Sequence, residues 1–239
     1  MSRRAGVGTA PFKGNPSGPT FPPGATHYWP LNEEAGPCAD IIGGADLTVS
    51  GATLHISGPL DFAAQVNGTG GAGRLVSAPQ TSLRATAGWT INLWTKRIGT
   101  LDQKDCFSQY NNFTNAGADT QFFMASGSNQ SGISLYDGTA ATNTNLTIPS
   151  AAFDGQWHML TIRFGDEPTI LDLYLDGVFW GSAANARASN ATDTAFYVGT
   201  FGNSGASDAQ GMADIGVWSR ALTDAEITQL YNGGTPLRP

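Results

Sequence analysis

The residues from Asp154 to Trp180 constrain the fold of this chain more than any other stretch. They contain two segments in which apolar and polar side chains alternate, and a period of two is typical of strands with one face in a core and one in water. Asp176-Gly177 then supplies the positive φ angles that a tight hairpin turn requires. The predicted faces are His158, Leu160, Ile162 and Phe164 against Trp157, Met159, Thr161 and Arg163 on the first strand, and Leu171, Leu173 and Leu175 against Asp172, Tyr174 and Asp176 on the second.

The rest of the chain also has the pattern of a β protein. It holds 31 glycines in 239 residues, which suits many short strands joined by tight turns, and its length fits one large β sandwich. One helix is predicted over 223–231, because Thr223 and Glu226 form a capping box and Gly233 follows as a stop. The predicted strands are 27–31, 45–49, 60–64, 73–77, 88–97, 104–109, 120–125, 132–136, 144–148, 156–164, 169–176, 178–182, 195–200 and 211–218.

The first 26 residues form a segment of different composition, and the predicted domain is 27–239. Proline removes backbone donors and fixes φ, so this segment is predicted to be an extended arm. The favoured interpretation is that a neighbouring subunit holds the arm, and the alternative is that it lies along its own domain. The predicted assembly contacts are two apolar anchors, Phe12 and Phe21, and three basic groups, Arg3, Arg4 and Lys13.

Charge excludes one class of partner. The net charge is −7, and because the arm carries +3, the remainder carries −7 − 3 = −10, which argues against nucleic-acid binding by the domain. No apolar run reaches the roughly 18 residues of a membrane span, and the basic start lacks the apolar region of a secretory signal. Cys38 and Cys106 are interpreted as two free thiols, with a single disulfide as the alternative.

Five segments of the sequence resemble laminin G-like jelly rolls of the concanavalin A-like lectin/glucanase superfamily, in the expected order. They are HYWPLNEEAG (27–36), LDFAAQVNG (60–68), GWTINLWTKR (88–97), the hairpin GQWHMLTIRF…LDLYLDGVFWGS (155–182) and FYVGTFGNSG…GMADIGVWSRALTDAEITQLYNGG (196–234). The resemblance implies an all-β fold: a two-sheet antiparallel jelly-roll sandwich, concanavalin A-like, with one short C-terminal helix and the extended N-terminal arm. It leaves the function open, because one fold hosts many functions.

Catalysis of the glucanase kind is not predicted. Retaining glycosidases need two carboxylates roughly 5 Å apart, whereas the adjacent Glu33 and Glu34 would face opposite sides of a strand. Glu167 falls in a turn and Glu226 serves as a helix cap. His158 is interpreted as a hydrogen-bonded residue of the sandwich. The chain is therefore predicted not to be an enzyme.

Two kinds of binding site are predicted instead. The resemblance implies calcium at the edge of the sandwich, with Asn32, Glu33 and Asp214 as ligands, although Ile215 replaces the second acidic residue of the family pattern. Sugar binding would use exposed aromatic side chains. The candidates for it are Tyr110, Phe113, Tyr136, Tyr174 and Trp180, whereas Trp89, Trp94 and Trp157 are assigned to the core.

The leading functional hypothesis is a non-catalytic structural and binding module of a larger, oligomeric particle. A bacteriophage virion is favoured, with the chain as a head-decoration or fibre-like capsid surface protein attached to other subunits through its arm. The alternative is an extracellular, lectin-like carbohydrate-binding protein that recognises surface glycans. Neither hypothesis involves a membrane or a nucleic acid.

Overall fold

The computed structural model describes most of the chain in several stretches. These are residues 18–66, 73–81, 83, 88–98, 103–109, 121–125, 132–135, 144–146, 152, 154–165, 170–184, 194–199 and 209–239. Within these stretches the strands are β1 (Ala25–Trp29), β2 (Thr48–Ser50), β3 (Thr53–Ser57), β4 (Phe62–Val66), β5 (Arg74–Gln80), β6 (Trp89–Arg97), β7 (Gln103–Gln109), β8 (Gln121–Ala125), β9 (Gly132–Leu135), β10 (Thr144–Leu146), β11 (Trp157–Phe164), β12 (Ile170–Leu175), β13 (Val178–Ala184), β14 (Thr194–Val198) and β15 (Gln210–Trp218). The helix α1 spans Asp224–Tyr231.

The strands form two sheets, as predicted for a jelly-roll sandwich. One sheet has the order β13-β12-β11-β6-β15-β4-β3, with β1 paired to β15, and the other has the order β10-β9-β8-β7-β14-β5-β2. Neighbouring strands in both sheets run antiparallel. The sequence did not predict β3, whose register with β4 is irregular.

The core between the two sheets is built by the alternation seen in the sequence. Leu160, Ile162 and Phe164 of β11 enter it, and so do Leu171 and Leu173 of β12. Trp89 also lies there, as predicted, with its ring stacked on that of Phe164 at 5.6 Å. The predicted inward face of the hairpin is thus confirmed.

The prediction that the opposite face of this hairpin lies in water is wrong. Met159, Thr161 and Tyr174 are all buried there. Met159 and Tyr174 are covered because α1 contributes Ile227 and Leu230 to a second apolar cluster on the outer face of the sheet. Trp94, assigned to the core from the sequence, belongs to this second cluster.

The capping box predicted for the helix is present. The Thr223 side chain accepts a hydrogen bond from the Glu226 backbone, and the Glu226 carboxylate accepts one from the Thr223 backbone. These bonds satisfy two amide groups that a helix start otherwise leaves without partners. Asn232 then adopts the left-handed conformation that ends the helix.

The base of the arm lies against its own domain. The Phe21 ring packs 5.4 Å from that of Trp218, and the Trp218 indole donates a hydrogen bond to the carbonyl of Pro22. The Gln229 amide of α1 bonds the carbonyl of Thr20. For Phe21 the structure therefore contradicts the favoured interpretation and supports the alternative. Arg3, Arg4, Phe12 and Lys13 lie outside the described residues.

Cys38 is a free thiol buried in the core. Burial raises its pKa to about 12, and the nearby Glu33 carboxylate acts in the same direction. Because the thiolate is the reactive form, this side chain is chemically inert at neutral pH. The interpretation of a free thiol is thus confirmed for Cys38.

Candidate functional site

The strand β13 ends one sheet and exposes three large apolar side chains in a row. Val178, Phe179 and Trp180 are 65%, 51% and 50% exposed. We call these three residues the β13 patch. Isolated exposed apolar side chains are common, but a contiguous group at a sheet edge marks an interaction surface.

A bulge in β13 arranges the aromatic residues of this patch. Leu173 pairs with Gly181 whereas Tyr174 pairs with Phe179, so Trp180 is the extra residue in its strand. A bulge re-aims a side chain and interrupts regular pairing along an edge. The Phe179 and Trp180 rings are therefore presented at an irregular edge, which disfavours the addition of another strand there.

Tyr174, on the neighbouring strand β12, packs against the Phe179 ring of the patch. It is 1% exposed, its ring meets that of Phe179 edge-on at 5.5 Å, and its hydroxyl donates to Asp224 at 2.7 Å. Burial raises the pKa of this hydroxyl, and the bond to Asp224 adds to the effect. The structure contradicts the predicted ligand contact for Tyr174, because its side chain does not reach the surface. Trp180 is exposed as a ligand contact requires, and Tyr110, Phe113 and Tyr136 lie outside the described residues.

An arginine joins two carboxylates at the far edge of the same sheet. The Arg238 guanidinium bonds both oxygens of Asp61 at 2.7 and 2.8 Å, and it bonds the Asp214 carboxylate as well. The Tyr28 hydroxyl donates to Asp214 at 2.7 Å. We call Asp61, Asp214 and Arg238 the arginine clamp.

The two carboxylates of the arginine clamp lie in different environments. Asp214 is only 1% exposed, and burial raises its pKa, although hydrogen bonds from Arg238 and Tyr28 act in the opposite direction. Asp61 is more exposed, and the paired hydrogen bonds from Arg238 hold its pKa well below the usual range. The guanidinium thus neutralises a buried charge that would otherwise be costly.

His158 bridges two carboxylates at the start of β11. Its Nδ1 lies 2.8 Å from Asp176 and its Nε2 lies 3.1 Å from Asp154. Asp176 has a left-handed backbone (φ 52°) and also accepts the Met159 amide proton, so the histidine secures the hairpin turn. This arrangement is the hydrogen-bonded structural role predicted from the sequence.

Stability is expected to depend on pH through His158. Burial acts to lower its pKa, but the hydrogen bonds that the imidazole donates to Asp176 and Asp154 outweigh burial and raise the pKa above 6.5. A raised pKa in the folded state stabilises the fold fully below the unfolded value of 6.5, and this stabilisation is lost as the pH rises through the folded value. Urea denaturation of His158→Gln and of the unmodified chain at several pH values measures how much His158 contributes to the free energy of unfolding. A stability difference that does not change with pH would contradict the assignment.

The sequence places the chain in a known family. The family model Laminin_G_3, described as the concanavalin A-like lectin/glucanases superfamily, matches residues 69–228, which are 160 of the 239 residues. The chain belongs to the Laminin_G_3 family. No curated protein sequence matches it.

Solved structures share the fold of this Laminin_G_3 chain at low sequence identity. The binding domain of Paraclostridial Mosquitocidal Protein 1 is 13% identical with a TM-score of 0.64, covering 88% of this chain and 52% of that one. The botulinum neurotoxin serotype D binding domain is 14% identical with a TM-score of 0.65, covering 90% and 55%. A sialidase of Trypanosoma rangeli is 13% identical with a TM-score of 0.60, covering 87% and 32%. The chain thus spans about half the length of the two binding domains.

The calcium ligands predicted for this Laminin_G_3 chain do not converge on one empty position. Asn32 donates its amide proton to Asp61, and Glu33 accepts the backbone proton of Ala39. Asp214 faces Arg238 and Tyr28, so a guanidinium already supplies the positive charge there. In the described residues no group of three or more His, Cys, Asp and Glu side chains suits a metal ion. As arranged, these residues do not fit calcium, and its binding there remains to be tested.

Two of the glutamates considered for catalysis by this Laminin_G_3 chain are engaged in structural hydrogen bonds. Glu33 bonds the backbone of its own turn, and Glu226 is held by Arg220 and the helix start. Glu34 is exposed, and Glu167 lies outside the described residues.

In the stretches of chain that the structure describes, no helix has the length and apolar character needed to cross a bilayer.

The sequence analysis missed three features that carry chemistry or contact. Phe179 and Val178 were not selected, although three consecutive large apolar residues in an alternating strand were a usable signal. The arginine clamp was missed because Arg238 lies 177 residues from Asp61 and 24 from Asp214. The close pairing of His27 with Asp40 was missed because the two residues lie 13 positions apart, across a turn with no recognisable pattern.

Proposed function

We propose that the chain is a non-catalytic recognition module and that the β13 patch is its contact surface for glycans. The observation that carries this proposal is the row of exposed side chains on one bulged edge strand. Aromatic rings bind the apolar faces of sugars through area burial, and a fixed ring loses little entropy. The ring of Phe179 is held in place because the buried Tyr174 ring packs against it.

The proposal of a non-catalytic role is supported by how the acidic groups are used. Asp61 and Asp214 are both paired with Arg238, and Glu226 is paired with Arg220. A general acid or nucleophile needs a carboxylate that is available to a substrate. The matched structures include binding domains of a mosquitocidal protein and of botulinum neurotoxins, one of them in complex with SialylT, which agrees with recognition.

A glycan array with the full chain tests the proposal. Serine replacements of Phe179 and of Trp180 are expected to weaken glycan binding at least tenfold each, because aromatic anchors at the centre of an interface are worth about 2 kcal/mol or more. Leu60→Ser is the matched control, since Leu60 is exposed to a similar extent on the turn before β4. If no glycan binds, or if both serine variants bind like the control, the proposal fails.

A second candidate is a structural protein of a bacteriophage virion surface that joins other subunits through its arm. The uneven charge favours it, because a segment carrying +3 precedes a body carrying −10 and can pair with the acidic surface of a neighbour. The two functions are compatible, because the arm and the β13 patch are separate parts of the chain.

The arm is tested by deleting residues 2–17, which keeps the contacts of Phe21 and Pro22 with Trp218. The shortened chain is expected to keep its melting temperature and to be lost from particles purified from cells that make all virion proteins. Incorporation at the level of the full chain would refute this role.

A further inference from the structure

A cavity beside β1 has the construction of a binding site, and neither the family nor the proposed function accounts for it. Its volume is about 270 Å³. It lies four strand spacings or more from β13 in the sheet, roughly 20 Å. The described residues that line it are Thr26, His27, Gln80, Thr81, Leu83, Phe196 and Ser219.

A buried carboxylate holds His27 in this cavity. Asp40 Oδ2 lies 2.7 Å from His27 Nδ1, and the Asp40 carboxylate also accepts the amide protons of Tyr28, Gly43 and Ala45. Burial acts to raise the pKa of Asp40, but these hydrogen bonds outweigh it and hold the pKa well below the usual range. The carboxylate is therefore charged and keeps a proton on Nδ1 of His27.

The His27 ring has no freedom to turn. It stacks on Trp29 at 5.3 Å and meets Phe196 edge-on at 5.2 Å. The turn that follows Asp40 packs so closely that a Cβ atom on Gly43 would lie 2.4 Å from His27 Nδ1. Side chains locked in this way are typical of preorganised sites.

The second nitrogen of His27 is left for a ligand. Its side chain is 13% exposed, and within the described part of the chain no group forms a hydrogen bond with Nε2. In a neutral imidazole with its proton on Nδ1, Nε2 accepts a hydrogen bond, and in a charged imidazole it donates one. A hydroxyl group can bond either form, whereas a carboxylate can bond only the charged one.

The opposite wall is held by buried polar groups as well. Gln109 is fully buried, and its amide donates to the carbonyls of Gln80 and Thr81 and accepts the amide proton of Leu83. Ser77 accepts the amide proton of Phe196. Buried polar side chains are costly unless satisfied, and here they fix the backbone that presents the cavity wall.

We infer that this cavity binds one unit of a neutral sugar or a polyol of similar size. The hydroxyls of Thr81 and Ser219 and the imidazole of His27 suit a ligand with several hydroxyl groups, and the Thr26 hydroxyl, which donates to the Val217 carbonyl, can accept from it. Leu83 and Phe196 suit its C–H face. In the described lining, His27 is the one side chain that can carry a charge, which disfavours an anionic ligand. A volume just below that of drug-sized pockets fits a single ring.

The experiment is saturation-transfer NMR on the full chain with glucose, galactose, mannose, N-acetylglucosamine and glucitol, and with N-acetylneuraminic acid as the anionic comparison. At least one neutral probe is expected to bind with a dissociation constant of about 1 mM, and its affinity is expected to fall at least tenfold in two variants. His27→Asn keeps a donor near the Nδ1 position for Asp40 and removes Nε2. Ser219→Tyr fills the mouth of the cavity from an exposed position.

Two controls separate this site from the β13 patch. Ser57→Tyr adds the same bulk at an exposed position on β3 and is expected to leave binding unchanged. Trp180→Ser serves as the discriminating variant: if it weakens binding of the neutral probe and His27→Asn and Ser219→Tyr do not, the sugar belongs to the β13 patch and the inference is overturned. It is overturned too if no neutral probe binds, if only N-acetylneuraminic acid binds, or if neither His27→Asn nor Ser219→Tyr weakens binding.

Discussion

Replacing Arg238 with alanine is expected to lower the free energy of unfolding by about 3–5 kcal/mol, because it leaves a buried carboxylate without a countercharge. Asp214 is 1% exposed, and Arg238 is the cation that contacts it. Chemical denaturation of the variant and the unmodified chain measures the difference. Arg220→Ala is the matched control, because it breaks a half-exposed arginine–glutamate pair that is expected to contribute about 1 kcal/mol or less.

The response to calcium shows whether the positive charge beside Asp214 comes from Arg238 or from a bound calcium ion. With Arg238 in place, calcium and EDTA are expected to leave the melting temperature unchanged. Arg238→Ala frees the Asp61 and Asp214 carboxylates, whose hard oxygen atoms suit calcium, so calcium is expected to restore part of the lost stability. A strong calcium response of the unmodified chain would instead support the site predicted at Asn32, Glu33 and Asp214.

Equal losses in the free energy of unfolding for Arg238→Ala and Arg220→Ala would contradict the importance of the clamp.

Replacing Trp218 with alanine is expected to lower the free energy of unfolding by about 3–5 kcal/mol, because removal of a fully buried indole leaves a large cavity. The variant also removes the ring on which Phe21 packs and the donor for the Pro22 carbonyl. Limited proteolysis is therefore expected to cut residues 18–24 faster than in the unmodified chain.

Phe21→Ala separates the two effects of Trp218. It is expected to increase cleavage of the same residues with a smaller loss of global stability, because Phe21 is only partly buried. Trp180→Ala provides the half-exposed tryptophan for comparison and is expected to change neither measurement appreciably. If Trp218→Ala unfolds at the same denaturant concentration as Trp180→Ala, the packing described for the outer face is wrong.

The hairpin of β11 and β12 shows what local pattern can predict. The alternation of apolar and polar residues predicted the bounds of both strands to within one residue, and it predicted which side chains enter the core. It could do so because a period of two follows directly from strand geometry. The capping box gave the helix for the same local reason. Alternation could not reveal that Met159 and Tyr174 are covered, since their cover comes from a helix more than fifty residues later in the chain.

The site residues show where local pattern fails. Trp180 was selected as an exposed aromatic residue and is one, whereas Tyr174 was selected by the same argument and is buried, because its exposure depends on α1. Asp214 was selected as a calcium ligand from a resemblance, but its partner in the structure is Arg238. No residue near Asp214 in the sequence indicates that pairing. Contacts over such separations depend on the packed sheet order and leave no periodic trace in the sequence.

Gly177 links the helix to the strand that carries the exposed aromatic residues. A Cβ atom there would lie 2.9 Å from Tyr231 Cβ, and the Thr228 hydroxyl donates to the Gly177 carbonyl. The start of β13 is thus clamped to a capped helix before any partner arrives. Docking on this edge should consequently proceed as a rigid-body encounter whose rate is governed by diffusion and orientation, without a slow conformational step.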